Sequence, residues 1–172
     1  MPKIVLIGFM GSGKSTVAAH LGELLKLPVC EMDEEIVRRS GLASIPEIFE
    51  KRGEQHFRDL EAEVAQGLAQ ASDIIVSTGG GVIGRAGNME SLKASGGLLV
   101  FLRSSFETVR ARNEGLETRP LFRDGAKALE LFAQRAPLYA RWADITLDTD
   151  SRTVSDLCAE IVSRLESSAC PR

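Results

Sequence analysis

The apolar residues of this chain fall into short unbroken runs separated by longer stretches in which they return every three or four positions. The first run covers residues 3–7, where Lys3 precedes Ile4, Val5, Leu6 and Ile7 and Gly8 closes it. A β-branched, wholly apolar run of this kind suits a strand buried on both faces of a parallel sheet. From Ser15 onward Val17, Ala18, Leu21, Leu24 and Leu25 keep helical spacing until Pro28, so a helix follows the glycine-rich loop directly. Residues 29–32 read as a second strand. A short helix carrying Ile36 and Val37 follows, with Glu34 and Arg38, and Glu35 and Arg39, each spaced to pair one turn apart.

Ser44-Ile45-Pro46-Glu47 has the form of a capping box with proline just inside the start, which predicts a short helix ending near Gly53. A longer helix comes next, its stripe formed by Phe57, Leu60, Val64 and Leu68, with Arg58 and Glu61 beside the stripe and able to reach a cleft wall. Further strands are expected at residues 73–77, 97–102 and 144–147, with helical patterns between them and a last helix carrying Val154, Leu157, Ile161 and Leu165. Strands alternating with helices through short connections predict an α/β three-layer domain. In such a domain ligands bind beyond the carboxyl ends of a parallel sheet. No internal repeat or linker interrupts the 172 residues, about the length of one domain.

Composition narrows the partners. With 21 basic and 24 acidic residues the formal charge is −3, which lacks the basic excess that binding to nucleic-acid phosphates requires. Fifteen of the basic residues are arginine, whose planar fork suits small carboxylates and phosphates. Cys30, Cys158 and Cys170 are odd in number and lack zinc or disulfide spacing, so a reducing cytoplasm is the expected compartment. The apolar run from Ile4 to Met10 is too short to span a membrane and leads into glycines rather than a cleavage site. No feature calls for a partner chain, and a monomer is expected. His20 and His56 lack companions for hydrolase chemistry and are assigned to structure, as are Tyr139 and Trp142.

Gly8-Phe9-Met10-Gly11-Ser12-Gly13-Lys14-Ser15 matches the P-loop pattern, in which backbone N–H groups close around phosphates at a helix N-terminus. By average residue usage the bare pattern arises by chance in roughly one chain in two hundred of this length. Gly11, Ser12, Gly13, Lys14, Ser15 and Thr16 are therefore the nucleotide-binding candidates. Lys14 would neutralise the β and γ phosphates and the Ser15 hydroxyl would ligate Mg²⁺, with ATP as phosphoryl donor.

A P-loop names the donor and leaves the acceptor open. The further motifs are Asp33, Ser44-Ile45-Pro46-Glu47-Ile48-Phe49, Gly53-Glu54 with Phe57-Arg58 and Glu61, Gly79-Gly80-Gly81, Arg119-Pro120-Leu121 and Arg135-Ala136-Pro137-Leu138-Tyr139. In this order they resemble the shikimate kinase family over nearly the whole chain. The resemblance implies a P-loop kinase fold of the nucleoside monophosphate kinase type, with a five-stranded parallel sheet and a mobile lid at about 112–125. It implies phosphorylation of the shikimate 3-hydroxyl by ATP. By the same resemblance Asp33 receives the acceptor hydroxyl, while Arg58 and Arg135 clamp the shikimate carboxylate. Gly79, Gly80 and Gly81 meet the acceptor, Arg119 reaches the transferring phosphoryl group, and Arg112 and Arg152 lie against the adenine. Read from local pattern alone, Asp33 also fits a helix N-cap and the three glycines a tight turn.

Two departures stand out. The family pattern Asp-x-Asp is here Glu31-Met32-Asp33, so the carboxylate associated with the Mg²⁺ water shell is one methylene longer, and Glu31 is expected to serve in its place. The stretch before Ser44 is one residue longer, with Leu42 and Ala43 filling a loop; a different register would make Asp33 and Glu35 the acid pair. Rival readings are a related kinase for gluconate or a nucleoside monophosphate, and a nucleotide-binding module without catalysis.

Overall fold

The computed structural model describes residues 3–113 and 124–169. Five strands form one parallel sheet: β1 (Ile4–Ile7), β2 (Val29–Glu31), β3 (Ile75–Ser77), β4 (Leu98–Arg103) and β5 (Ile145–Asp148), in the order β2-β3-β1-β4-β5. The helices are α1 (Lys14–Leu25), α2 (Met32–Ser40), α3 (Ile45–Gly67), α4 (Ala86–Lys93), α5 (Phe106–Asn113), α6 (Gly125–Trp142) and α7 (Val154–Ala169).

The central strand explains why the sheet is covered on both sides. Ile4, Val5, Leu6 and Ile7 are each fully buried, and successive side chains point to opposite faces. Val5 and Ile7 join Val76, Leu99 and Phe101 in a core closed by α2, α3, α4 and α6. Ile4 and Leu6 join Ile75, Val100 and Leu102 in a second core closed by α1 and α7. At about 2 kcal/mol for each fully buried aliphatic side chain, one polar substitution in β1 would remove a large share of a domain's stability.

Local signals set the helix boundaries near the site. Ser44 caps α3 by accepting the Glu47 N–H at 3.3 Å, and the Glu47 carboxylate returns to the Ala43 N–H at 2.7 Å. The reciprocal bond thus falls one residue earlier than a strict capping box. The two helices expected on either side of Gly53 are there, running through one continuous element whose helical geometry breaks at Gly53, with φ 83° and ψ 167°. A left-handed φ of this size is cheap only for glycine. The expected pairing of Glu34 with Arg38 does not occur: Glu35 takes both arginines, Arg38 and Arg39, each at 2.7 Å. Arg38 meets it through two donors, a fork geometry that one carboxylate satisfies better than two.

The sheet order brings the functional segments together. β2, β3 and β1 are neighbours, and all three end at the same edge of the sheet. The P-loop leaves β1, the acid segment leaves β2, and the triple glycine leaves β3.

Candidate active site

The glycine-rich loop folds tightly because two of its residues adopt left-handed backbone, Gly11 at φ 82° and Gly13 at φ 93°. Lys14 opens α1 and arches back over the loop, donating to the carbonyls of Gly8 and Phe9 at 2.9 Å each and lying 3.5 Å from the Ser12 hydroxyl. Ser15 and Thr16 are exposed on the first turn of α1, next to Gly13 at its N-cap. A cation and a helix N-terminus therefore meet at one tight loop, an arrangement that suits anionic oxygens.

At the end of β2, the Ser15 hydroxyl donates to Glu31 Oε2 at 3.1 Å and lies 3.4 Å from the Ser77 hydroxyl. Glu31 and Ser77 are register partners on adjacent strands, which is why both reach the same point. Glu35 is turned away, engaged with Arg38 and Arg39, and its carboxyl is driven down to about 2 by those hydrogen bonds. Glu31, rather than Glu35, therefore shares this point with Ser15 and Ser77. Asp33 does not cap α2, whose N-cap is Glu31; it lies in the first turn and faces the triple glycine.

That glycine loop forms the floor of a polar hollow. A Cβ on Gly79 would stand 2.6 Å from Asp33 Oδ1, and one on Gly81 would stand 2.8 Å from Arg58 Nη2. Gly80 abuts the P-loop, its position for a Cβ being 3.3 Å from the Met10 N. No side chain larger than hydrogen fits at Gly79 or Gly81 without displacing the acid or the guanidinium.

Arg58 is held by Glu61, one turn along α3, at 3.0 Å. Glu61 is only 1% exposed, and burial pushes its carboxyl up, with Arg58 opposing and Asp33 adding to the rise. Arg135 on α6 shares this environment. Burial presses its pKa down, and the Arg58 charge adds to that, while the Tyr139 hydroxyl and Glu61 favour its charged form. Two guanidinium groups, one acid on α2 and a floor of backbone amides thus converge beside the P-loop.

The chain matches the family model described as "Shikimate kinase" over residues 10–166. The shikimate kinase of Pseudomonas syringae pv. tomato is 41% identical over 168 residues, covering 96% of each chain. The chain belongs to the shikimate kinase family. Among solved structures, the shikimate kinase of Acinetobacter baumannii in complex with shikimate superposes with a TM-score of 0.91 at 37% identity, covering 99% of this chain and 96% of that one. The Aquifex aeolicus enzyme gives 0.85 at 39% identity, covering 97% and 98%. The fold is therefore that of the P-loop kinases of this family, as the motif order implies.

Within the family frame, the remaining expected residues divide. Arg112 lies at the glycine-rich loop, donating to the Gly11 carbonyl at 3.1 Å. Asp150, after β5, faces it: burial opposes ionisation there, yet hydrogen bonds from Ser105 and Thr108, with the Arg112 charge, hold its carboxyl below the usual range. Arg152 is tied to α7, paired with Glu160 at 2.8 Å and donating to the Asp156 carbonyl at 3.2 Å. Arg119 and most of the expected lid lie outside the described residues, as does Cys170.

Three functional contacts escape a reading by motif. Tyr139, expected only to pack, is buried, and its hydroxyl donates to the Gly80 carbonyl while favouring the charged form of Arg135 nearby. Ser77 adds a hydroxyl beside Ser15. Asn113 holds the Met10 carbonyl. Each joins segments far apart in sequence, so local pattern carries no trace of it. Trp142 packs partly buried against the core as expected.

Proposed function

We propose that this kinase transfers the γ-phosphoryl group of ATP to the 3-hydroxyl of shikimate, giving shikimate 3-phosphate and ADP. The observation that supports this reading most directly is the position of Gly80 against Met10, which sets the hollow formed by Asp33, Arg58 and Arg135 directly beside the phosphate loop. Donor and acceptor sites then share a wall, as an in-line transfer between them requires.

Arg58 and Arg135 bind the shikimate carboxylate through charge-assisted hydrogen bonds, with Glu61 fixing Arg58 and Tyr139 supporting Arg135. Asp33 accepts the hydrogen bond of the attacking hydroxyl and aims its oxygen at the γ-phosphorus. A loose transition state asks for positioning more than for proton removal. The bond from the hydroxyl oxygen to phosphorus forms as the bridge to the β-phosphate breaks. Lys14 leaves its loop carbonyls for the phosphates, and the N–H groups of Gly11, Ser12, Gly13, Lys14, Ser15 and Thr16 hold them. Arg119 is assigned to the transferring group, and Arg112 and Arg152 to the adenine, on the family resemblance.

The oxygen donors of Ser15 and Glu31, 3.1 Å apart, fit a hard cation that keeps most of its water. Mg²⁺ would be held there by Ser15 directly and by Glu31 through water, and when bound it offsets the charge of the β and γ phosphates. Cys30 and Cys158 are free thiols, in keeping with a reducing compartment such as the cytoplasm. Phosphorus NMR of the product made from MgATP and shikimate tests the reading: a single new ester at the 3-position supports it, and an ester at another hydroxyl refutes it.

A further inference from the structure

The phosphate loop is gripped from outside by the last turn of α5. The Asn113 side-chain amide donates to the Met10 carbonyl at 3.3 Å and to the Val109 carbonyl one turn back on its own helix. Two carbonyls on one side decide which end of the amide faces them, since only the NH₂ end donates. Asn113 is 2% exposed, and its Oδ1 is a buried oxygen with no partner among the described residues. Leaving a buried acceptor unmatched is costly, so the orientation is held by what the NH₂ gains at Met10 and Val109. Gly11 lies directly against this amide. A Cβ there would overlap its nitrogen and come 3.1 Å from its Cγ. Arg112 takes the next carbonyl, that of Gly11, at 3.1 Å.

In a trans peptide the N–H points opposite to the carbonyl. Holding the Met10 carbonyl toward α5 therefore turns the Gly11 N–H away from α5. Gly11 is the first of the backbone donors that the loop offers to phosphate. We propose that Asn113 is a positioning residue for nucleotide binding, fixing the Met10–Gly11 peptide so that the Gly11 N–H is presented to the phosphates of ATP. This deepens the proposed function and rests on its reading of the loop as the nucleotide site. The charged acceptor-side groups sit on α2, α3 and α6, and Gly80 approaches Met10 at its N–H rather than at the carbonyl that Asn113 holds, so the effect of Asn113 falls chiefly on the nucleotide.

The test compares wild type with Asn113→Ala and Asn113→Asp in three readouts: calorimetric affinity for MgADP, steady-state constants for both substrates, and the thermal midpoint. Alanine favours the helix and removes the donor; aspartate keeps the shape but turns a carboxylate toward two carbonyls. The expected result for Asn113→Ala is a rise of about tenfold in Kd for MgADP and KM for MgATP, as loss of one well-placed buried hydrogen bond gives. Asn113→Asp is expected to bind MgADP more weakly still. KM for shikimate and kcat at saturating MgATP stay within about twofold, the range in which an uncoupled site is expected to lie. Unchanged MgADP affinity in the alanine variant overturns the proposal, and so does an equal rise in both KM values, which marks a merely structural role. If wild type itself fails to bind MgADP, the nucleotide site falls and the proposal with it, an outcome separate from normal wild-type binding with unaffected variants.

Discussion

Asp33 and Gly79 are packed so closely that a methyl group on the glycine would stand 2.6 Å from the carboxylate oxygen. Asp33 and the triple-glycine loop are therefore one fitted pair. Gly79→Ala would push Asp33 off its position while leaving the P-loop intact. The expected outcome is a fall of about a hundredfold in kcat/KM for shikimate with MgADP affinity unchanged, the scale on which misplacing a reacting group acts. Steady-state kinetics with calorimetry checks it, and an equal loss of MgADP binding would contradict it.

Glu61 sets a pH dependence. Burial raises its carboxyl above the ordinary value of 4.5 despite Arg58. In the interval between 4.5 and the raised value, the folded chain keeps a proton that the unfolded chain has lost. This group's contribution to stability therefore declines as pH rises through that interval. Over the same interval Arg58 gains its ionised partner, so shikimate binding improves. Glu61→Gln should flatten both trends. Thermal midpoints and shikimate KM values measured across the interval check this, and a wild-type minus Gln difference that does not vary with pH would count against it.

Much of this site was legible in the sequence because its parts are local. A glycine loop between strand and helix, a cap at Ser44, a break at Gly53 and an acid after β2 are each written within a few residues. The sequence already favours Glu31 over Glu35, since the other register misplaces Ile36 and Gly41; the structure adds that Glu35 is engaged by both Arg38 and Arg39 while Glu31 reaches Ser15. Tyr139 was legible as a core residue and illegible as a hydrogen-bond donor, because its partner Gly80 is 59 positions away. The Glu34 and Arg38 pairing failed for a local reason, since helical spacing permits a contact without choosing among competing acids.

Tyr139 gives a conservative test of the link between the glycine loop and the arginine clamp. Tyr139→Phe keeps the ring stacked on Phe101 at 5.2 Å but leaves the Gly80 carbonyl without its donor. An unmatched part-buried carbonyl costs about 1 kcal/mol, which lowers the midpoint by a few degrees in a domain of this size. Arg135 loses the neighbouring hydroxyl that favours its charged form, so shikimate KM should rise about fivefold with MgATP KM unchanged, a loss of about 1 kcal/mol in binding. Calorimetric melting and kinetics would show both; a wild-type shikimate KM would break the proposed link.

Glu31 should govern the metal. With Ser15 3.1 Å away, Glu31→Gln keeps the hydrogen-bonding shape and removes the charge. The Mg²⁺ concentration for half-maximal activity is expected to rise about fivefold or more, while binding of ADP without metal is unchanged. A titration of Mg²⁺ at fixed nucleotide reads it directly, and an unaltered Mg²⁺ requirement would remove Glu31 from the metal's surroundings.

The most direct test of the account is ADP formation from MgATP with shikimate, with gluconate and AMP as alternative acceptors, in wild type and Asp33→Asn. Turnover with shikimate alone is expected, with a loss of about a hundredfold or more in the variant, the scale on which misplacing a reacting group acts. Stimulation by gluconate or AMP in place of shikimate, or an undiminished rate in Asp33→Asn, would contradict it.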